Sequence, residues 1–519
     1  MKLFRELTHD DPFRRQTRSS GASPAKDDGD LFTLRPSPRK LRILTDCESL
    51  AEPLSYFDSH LSAFYAYDNI EHLSIRMSEC GNPSSPLDRS ERGFVQVRDV
   101  TAHKGDFAYP GQQYAWQTKD PQRKFDGSSV EERYGNVSPG RQLAESLTAF
   151  RDGEVQKPGL RQEDIERAVL LSEIGRSMGF DLIISESATV GIDSLPANDR
   201  ANVVTRTEAL PIVAHYMRTQ QQYITNAVSR MVMSRKDYYA ASVRALAEGT
   251  SWWQGKCQLA PITDIMLGNR FLADAESLID RMSRALRSRD NLFASISAIQ
   301  TEDVRDDGAD ALDHALVCLC GAVDVVARSI HAARRLGGNE RNAKLHHGTG
   351  YKALMSAYTS AAGREVLDEQ QKHLDVVFRL RNTIHSRALS AIASLRTDRQ
   401  GFPTLGIGRL DVVIPHEAAE SMRDPATGGL AFWGAREIGS QSLVVADLPH
   451  LLDQCFHAVF SFLDNLCRIV SANAIMDEDP VLKIDVTGVE PSYFDCQREL
   501  RTYIGLPSAA DPLDTAEAP

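Results

Sequence analysis

An arginine and a histidine lie one helical turn apart in the C-terminal half of the chain, within the segment FRLRNTIHS at residues 378–386. On a helix, Arg381 and His385 would project from nearly the same face, about 40° apart. A guanidinium can hold a phosphate through two parallel hydrogen bonds and stays charged, and an imidazole can exchange a proton near neutral pH. With Asn382 beside the arginine, this set could promote attack of a ribose 2′-hydroxyl on the neighbouring phosphate without a metal.

The same spacing also has a structural interpretation. Arg381 would then pair with a carboxylate of a helical bundle, and His385 would be hydrogen-bonded in a core or at an interface. Because an arginine and a histidine four residues apart are common on helices, the spacing by itself favours the structural interpretation over the catalytic one.

The bulk composition is that of a globular protein with no overall attraction for nucleic acid. A length of 519 residues predicts two or three domains, and 42% hydrophobic with 25% charged residues is typical of soluble proteins. The formal net charge is −12, so an RNA-binding surface would have to be a local one. Two groups of cations are the local candidates, although a run of charges is more often a solvated face. They are Arg281, Arg284, Arg287 and Arg289, and Arg334, Arg335, Arg341 and Lys344.

Cysteine usage and hydropathy predict a cytoplasmic protein without a membrane segment. The eight cysteines are scattered and contain no C-x-x-C pair, which favours reduced thiols over disulfides or a zinc site. The N-terminus has no apolar stretch typical of a signal peptide. The most apolar window, 316–327, is too short to cross a bilayer and contains Asp324. No Walker A loop or dinucleotide-binding fingerprint with the required context is present.

The predicted fold class is α+β, mostly α, with a small parallel α/β domain followed by a helical bundle. Composition and periodicity predict five segments along the chain. These are a disordered leader at 1–40; an α/β domain at 41–215 with an irregular insertion at 81–140, which carries at most a short hairpin near 93–97; a helical connector at 216–270; a helical domain at 271–480; and a C-terminal extension with a loose acidic tail at 481–519.

Periodicity predicts individual elements within these segments. In the α/β domain we expect an amphipathic helix at 162–178 capped by Gly179, a buried strand at 180–184, a short strand at 201–205 and then a further helix. In the helical domain, an apolar stripe between Leu312 and Ile330 predicts the clearest helix. Further helices are predicted at 271–287, 351–360, 364–396 and 448–474.

The segment LRNTIH at 380–385, on a long helix, resembles the R-N-x-x-H form of the motif of the HEPN superfamily, over about residues 270–475. Those four-helix domains often work as metal-independent ribonucleases, with a site formed at a dimer interface. The resemblance implies a homodimer in which Arg381 and His385 are the catalytic pair and Asn382 the polar residue that follows the arginine. The usual spacer is about four to six residues, whereas three separate Arg381 from His385. Counting from Arg379 gives five, but on a different helix face.

The segment LRILTD at 41–46, followed by a helix, resembles the opening of a PIN-like domain, and residues 164–210 resemble its closing half. The resemblance implies that Asp46 and Asp164 bind Mg²⁺ or Mn²⁺ for phosphodiester hydrolysis. Glu186 would join them, because Ser187 stands where an acid is usual, and Glu145 is an option for the remaining acid. The alternative is that Asp46 and Asp164 serve helix termini. The missing acid favours a degenerate nuclease fold.

Together these patterns give two functional hypotheses. In the first, the protein is a metal-independent endoribonuclease of a bacterial stress or antiphage system, which acts on RNA as a homodimer. In the second, both nuclease-like folds are degenerate and the protein is a non-catalytic oligomeric scaffold or sensor. Mutation of Arg381 or His385 separates them, because only the first hypothesis requires these side chains for RNA cleavage.

Overall fold

A computed structural model describes most of the chain and divides it into two compact units. The described residues are 31–32, 39–50, 55–76, 94–99, 114–119, 134–192, 195–199, 201–259, 265–297, 302–385, 388–397, 403–439, 443–472 and 496–506. Unit 1 comprises Met1–Gln220 with Ala227–Met231, and unit 2 comprises Gln221–Asn226 with Val232–Pro519. The sequence predicted that the α/β domain ends at residue 215, close to the end of unit 1 at Gln220. The predicted connector at 216–270 contains helices that belong to unit 2.

Unit 1 is built on a seven-stranded sheet with the order β5-β4-β3-β2-β1-β6-β7. Strands β3, β2, β1, β6 and β7 are parallel, and β4 and β5 continue the sheet antiparallel. Because β2 and β6 flank β1 on opposite sides, the strand order reverses at β1. The strands are β1 (Leu41–Asp46), β2 (Ile70–Arg76), β3 (Phe94–Asp99), β4 (Tyr114–Lys119), β5 (Tyr134–Val137), β6 (Leu182–Ile184) and β7 (Val203–Val204).

The described part of unit 1 contains four helices. They are α1 (Tyr56–Phe64), α2 (Gly140–Arg151), α3 (Gln162–Met178) and α4 (Arg206–Thr219). The helix at 162–178 and the helix after the short strand at 201–205 were predicted, whereas the helix at 140–151 was not. Gly179 ends α3 in the left-handed conformation, as predicted. A Cβ at Gly175 would overlap the side chain of Ile183, so this glycine lets α3 pack closely on β6. Thr205 caps α4 through the backbone N–H of Glu208.

Two predictions for unit 1 are wrong in part. Residues 81–140 were expected to be irregular, yet β3, β4 and β5 form within them and extend the main sheet. Trp116 of β4 is buried, and its indole N–H donates to Ser177, so one aromatic side chain ties this region to α3. Leu31 and Phe32 lie in the predicted disordered leader but are fully or almost fully buried, and the Phe32 ring stacks on His215 of α4.

Unit 2 is mostly helical, as expected for residues 271–480. Its helices are α5 (Arg235–Leu246), α6 (Glu248–Leu259), α7 (Ile265–Ser297), α8 (Glu302–Ala333), α9 (Gly348–Leu354), α10 (Arg364–Ile384), α11 (His416–Arg423), α12 (Gly429–Phe432), α13 (Leu448–Ala472) and α14 (Gln497–Ile504). Helices α7 and α8 pack along their length, and α8, α10 and α13 pack against one another. The coarse class, α+β and mostly α, is therefore confirmed. Residues 507–519 of the predicted tail lie outside the described residues.

The helical domain also contains a sheet that the sequence did not predict. Strands β10 (Ala391–Thr397), β11 (Pro403–Val413), β12 (Ala435–Ile438) and β13 (Leu443–Asp447) form an antiparallel sheet with the order β10-β11-β13-β12. The helix predicted at 364–396 ends at Ile384, because residues 391–397 pair with β11 instead. Strand pairing between distant segments overrides local helix propensity here. A separate two-stranded sheet joins β8 (Ile224–Asn226) and β9 (Met231–Val232).

One described helix is long and apolar enough to cross a membrane by length and composition alone. It is the segment Val304–Ala333 of α8, and 67% of its apolar window is buried inside the unit. Leu312, Leu316 and Leu319 on this helix have no exposed surface. Packing within unit 2 therefore accounts for the hydrophobic stripe that the sequence shows.

Candidate functional site

The carboxyl end of β1 in unit 1 places Asp46 beside an arginine. The Asp46 carboxylate is completely buried, and it accepts hydrogen bonds from Arg167 at 2.5 Å and from the Ser185 hydroxyl at 2.9 Å. The same guanidinium donates to Glu48 at 2.6 Å. Burial lowers the pKa of Arg167, but Asp46 and Glu48 outweigh it, so that this pKa lies above its ordinary value. Arg167 thus compensates two acids at the point where the strand order reverses.

A second arginine engages the next pair of acids along the same sheet edge. Arg206, the first residue of α4, donates from its side chain to Glu186 at 3.0 Å and to Asp58 at 2.7 Å. Its backbone N–H also donates to Glu186 at 2.8 Å. The Ser49 hydroxyl accepts from the backbone N–H of Glu186 at 2.9 Å, which joins the two arginine clusters through the β1 and β6 ends.

The predicted metal ligands do not fit a divalent-ion site as they are placed. Asp164 lies in the first turn of α3, where its carboxylate accepts from the backbone N–H of Arg161 at 2.9 Å, and hydrogen bonding to the Arg161 side chain lowers the pKa of Asp164. Glu145 pairs with Arg141 on α2. Every one of these carboxylates, and Asp46 and Glu186 with them, is bonded to an arginine. Within the described ranges, no group of three or more His, Cys, Asp or Glu side chains is close enough to hold a metal.

The predicted Arg–Asn–His set lies at the C-terminal end of α10 in unit 2. Arg381 is half-buried, and its guanidinium donates to the Asn382 side chain at 3.2 Å. His385 has helical backbone angles (φ −68°, ψ −24°) at the end of the helix, and its side chain is exposed. The helix therefore continues from Arg381 to His385, so the two side chains leave it on nearly the same face. Arg379 instead pairs with Asp375 at 2.7 Å, which favours counting the motif from Arg381.

Four cations from four parts of unit 2 act on Asp324 in the middle of α8 through their charge. Burial raises the pKa of Asp324, and Lys344, Arg328, Arg381 and Arg281 oppose this shift through their positive charges. The Nε atoms of Arg281 and Arg381 are both buried without a hydrogen-bond partner among the described residues. Four positive charges thus act on this one acid, in a protein that is acidic overall. We call these five residues the Asp324 cluster.

A glycine on α8 brings one of these arginines against the helix backbone. A Cβ at Gly321 would overlap the guanidinium of Arg281, so the absence of a side chain there makes room for this group. Gly321, Asp324 and Arg328 lie three and four residues apart and share one face of α8. Two hydrogen bonds join α7 and α8 on either side of this point, one between Ser288 and His314 and one from Ser329 to Asp274.

A half-buried histidine, His346, is affected by the charges of Lys344 and Arg381 from the Asp324 cluster. The His346 ring stacks on Phe378 of α10 with 3.7 Å between ring centroids. Burial, with Lys344 next in effect, lowers the pKa of His346 to about 4. At neutral pH the His346 ring is therefore uncharged and packs as an aromatic group. His385, at the end of the helix that carries Phe378, is instead exposed to solvent.

The sequence identified some of these residues and missed others. Arg281 and Lys344 belonged to the predicted cation groups, but Arg289 of the same group is completely buried and pairs with Asp453 at 2.6 Å. The sequence analysis missed Arg167. It lies on α3 one turn after Asp164, a residue that the analysis had already singled out. Asp324 was seen only as a charge within an apolar window.

Comparison with known proteins adds no family assignment. No protein-family model and no curated protein matches this chain. The candidate sites therefore rest on their own geometry.

Proposed function

We propose that unit 2 binds RNA at the Asp324 cluster and cleaves it without a metal through Arg381 and His385. The observation that carries this proposal is the position of Arg381. Its positive charge acts on Asp324 together with those of three other cations, and it lies one helical turn before an exposed histidine. The resemblance of residues 380–385 to the HEPN motif supports the same residues, and it also implies a homodimer.

The cation excess suits a phosphodiester better than a carboxylate partner from the protein. Burial raises the pKa of Asp324 although four cations oppose this shift, so this acid compensates them incompletely. A phosphate oxygen would accept from the unpartnered Nε of Arg281 or Arg381 after a small side-chain movement. Binding would relieve two buried donors, each of which costs about 1–3 kcal/mol when unsatisfied.

In the proposed reaction His385 accepts the proton of the ribose 2′-hydroxyl as this oxygen attacks the adjacent phosphorus. The bond from phosphorus to the 5′-oxygen breaks, and that oxygen leaves with a proton from water. Arg381 stabilises the negative charge that grows on the phosphate oxygens. The products are a 2′,3′-cyclic phosphate and a 5′-hydroxyl end, so no redox step or metal is needed.

The experiment is cleavage of mixed RNAs by the purified protein in excess EDTA, with analysis of the product ends. We expect cyclic-phosphate ends from the wild type. We expect a loss of about 100-fold or more in rate for His385→Gln, because general acid–base catalysis contributes about 10²–10⁴. Arg381→Gln should lose cleavage and weaken RNA binding together, because this residue contacts the phosphate.

The matched control is His416→Gln, which removes another exposed histidine of unit 2, on α11. This variant should cleave at the wild-type rate. If His385→Gln and Arg381→Gln both keep wild-type activity, the assignment of the site is wrong. Sedimentation of the same samples tests the implied homodimer.

A structural function for unit 1 is the second candidate, and the Arg167–Asp46 pair favours it. The Arg167 guanidinium already compensates the buried Asp46 carboxylate and the neighbouring Glu48. This arrangement agrees with a degenerate PIN-like fold that serves as a scaffold or sensor. If unit 2 also lacks activity, the whole protein fits the non-catalytic hypothesis; cleavage that requires Mn²⁺ and is unchanged in His385→Gln would instead return catalysis to Asp46.

A further inference from the structure

Unit 2 contains a large cavity that the proposed RNA site does not use. Its volume is about 1400 Å³, and its lining comes from Val232–Arg244 at the start of α5, from Gln254 of α6, from the middle of α7 and from His314 of α8. Ligand pockets of this kind are commonly about 300–1,000 Å³, so the space is sufficient for an organic molecule of nucleotide size.

The lining carries more cations than acids, and most of the acids are already engaged. Five cations face three acids, namely Arg235, Lys236, Arg244, Arg284 and Arg287 against Asp237, Glu276 and Asp280. Asp280 pairs with Arg284 at 2.7 Å. Asp237 accepts a hydrogen bond from the Ser234 hydroxyl at 2.6 Å. Three of the cations, Arg235, Lys236 and Arg287, form no hydrogen bond or ion pair with the residues that the structure describes.

Two further groups in the lining favour an anion. The Ser283 residue is only 8% exposed, and its hydroxyl oxygen has no hydrogen-bond partner in the described part of the chain. Arg235 is the first residue of α5, a helix of 12 residues whose N-terminus carries a partial positive charge. An anion in this space would meet a buried donor, a helix terminus and free cations together.

The lining also contains apolar side chains. Ile279 is buried within α7, and Val232 and Met233 are at least partly exposed beside it at the start of the cavity. A ligand with a phosphate group at one end and an uncharged ring at the other would match both parts of the lining. RNA is a poorer match, because the free cations lie within one cavity rather than along an extended groove.

We propose that this cavity binds a small organic phosphate of nucleotide size, with its phosphates against Arg287 and Lys236. The proposal does not rest on RNA cleavage at Arg381, because the two sites share none of the residues named for them. Binding would make unit 2 responsive to a soluble phosphorylated metabolite, which suits either an enzyme or a sensor.

The experiment is calorimetric titration of the full-length protein with ATP, and in parallel with inorganic pyrophosphate, at low salt. We expect ATP to bind, and Arg287→Gln and Lys236→Gln each to weaken it by about ten-fold, the loss of one charge-assisted hydrogen bond. Lys352→Gln, on the exposed face of α9, is the matched control and should bind as the wild type does. Pyrophosphate should compete with ATP, but more weakly.

Three results would overturn the proposal. They are no binding of either probe, equal weakening by Lys352→Gln, and displacement of neither probe by the other. Binding of a short RNA that depends on Arg287, with no binding of ATP, would assign the cavity to RNA instead. Circular dichroism of Arg287→Gln and Lys236→Gln will show whether a loss of binding reflects unfolding. The His385→Gln variant should still bind ATP, which separates this proposal from the proposed RNA cleavage.

Discussion

Replacing Arg167 by methionine should destabilise unit 1 strongly, because it leaves a buried carboxylate without its cation. Asp46 is 0% exposed and would keep only the hydrogen bond from Ser185. Removal of one partner of a buried ion pair typically costs about 3–5 kcal/mol. The Arg167 side chain is 29% exposed, so water can partly replace it, and we expect a loss of about 3 kcal/mol in the free energy of unfolding of unit 1.

The second arm of this experiment removes the charge of Asp46 as well. In Asp46→Asn/Arg167→Met position 46 no longer carries a buried charge, and the Glu48 side chain that also loses its cation is 17% exposed, so we expect the loss to shrink to about 1–2 kcal/mol. Native-state hydrogen exchange in increasing urea, followed for the amides of β1 and β6, reports on this unit separately from unit 2. The double variant must therefore be more stable than Arg167→Met alone.

The control is Arg141→Met, which breaks the exposed pair with Glu145 on α2 in the same unit. A surface pair of this kind contributes at most about 1 kcal/mol. If Arg167→Met costs no more than Arg141→Met, or if Asp46→Asn fails to recover stability, the reasoning about the buried pair is refuted. Addition of Mn²⁺ extends the test, because only the variant without the Arg167 cation should be stabilised by the ion.

Three further predictions concern unit 2. Gly321→Ala should change the melting temperature little, because the flexible end of Arg281 can move, yet it should weaken RNA binding measured by fluorescence anisotropy. Gly249→Ala should cost about 2 kcal/mol or more in urea unfolding, because its Cβ would overlap the backbone oxygen of Asp464, which cannot move freely. Burial lowers the pKa of His346 to about 4 from 6.5, so protonation favours the unfolded chain. Stability measured by urea unfolding should therefore fall between pH 6.5 and pH 4, by about 1 kcal/mol after allowance for solvent screening, and His346→Phe should remove this part of the pH dependence.

Local signals in the sequence were sufficient for much of the fold. The helix at 162–178 and its Gly179 cap, and the buried strand that follows, depend on nearest neighbours along the chain, and both are present. Strands β3, β4 and β10 depend instead on pairing with segments far away in the sequence. The segments around them are rich in turn residues or continue a helical pattern, so the sequence predicted an insertion with a short hairpin and a longer helix.

The candidate sites show the same limit in chemical terms. Spacing along one helix correctly related Arg381 to His385, because four residues on a helix fix the relative direction of two side chains. It could not show that Arg281 from α7 lies against Gly321 of α8 and also close to Asp324. That arrangement follows from the register of two long helices, which no local pattern encodes.

The distribution of partners explains how an acidic protein can contain a site for an anion. At the sheet edge of unit 1, Arg167 binds Asp46 and Glu48, and Arg206 binds Glu186 and Asp58, so each cation is outnumbered by acids. Around Asp324 in unit 2 the ratio is reversed, since the positive charges of four cations act on this one acid. The net charge of −12 averages over both and hides this difference. If the reversed ratio attracts RNA, the affinity should fall steeply with added salt, and Arg281→Gln should make that dependence shallower.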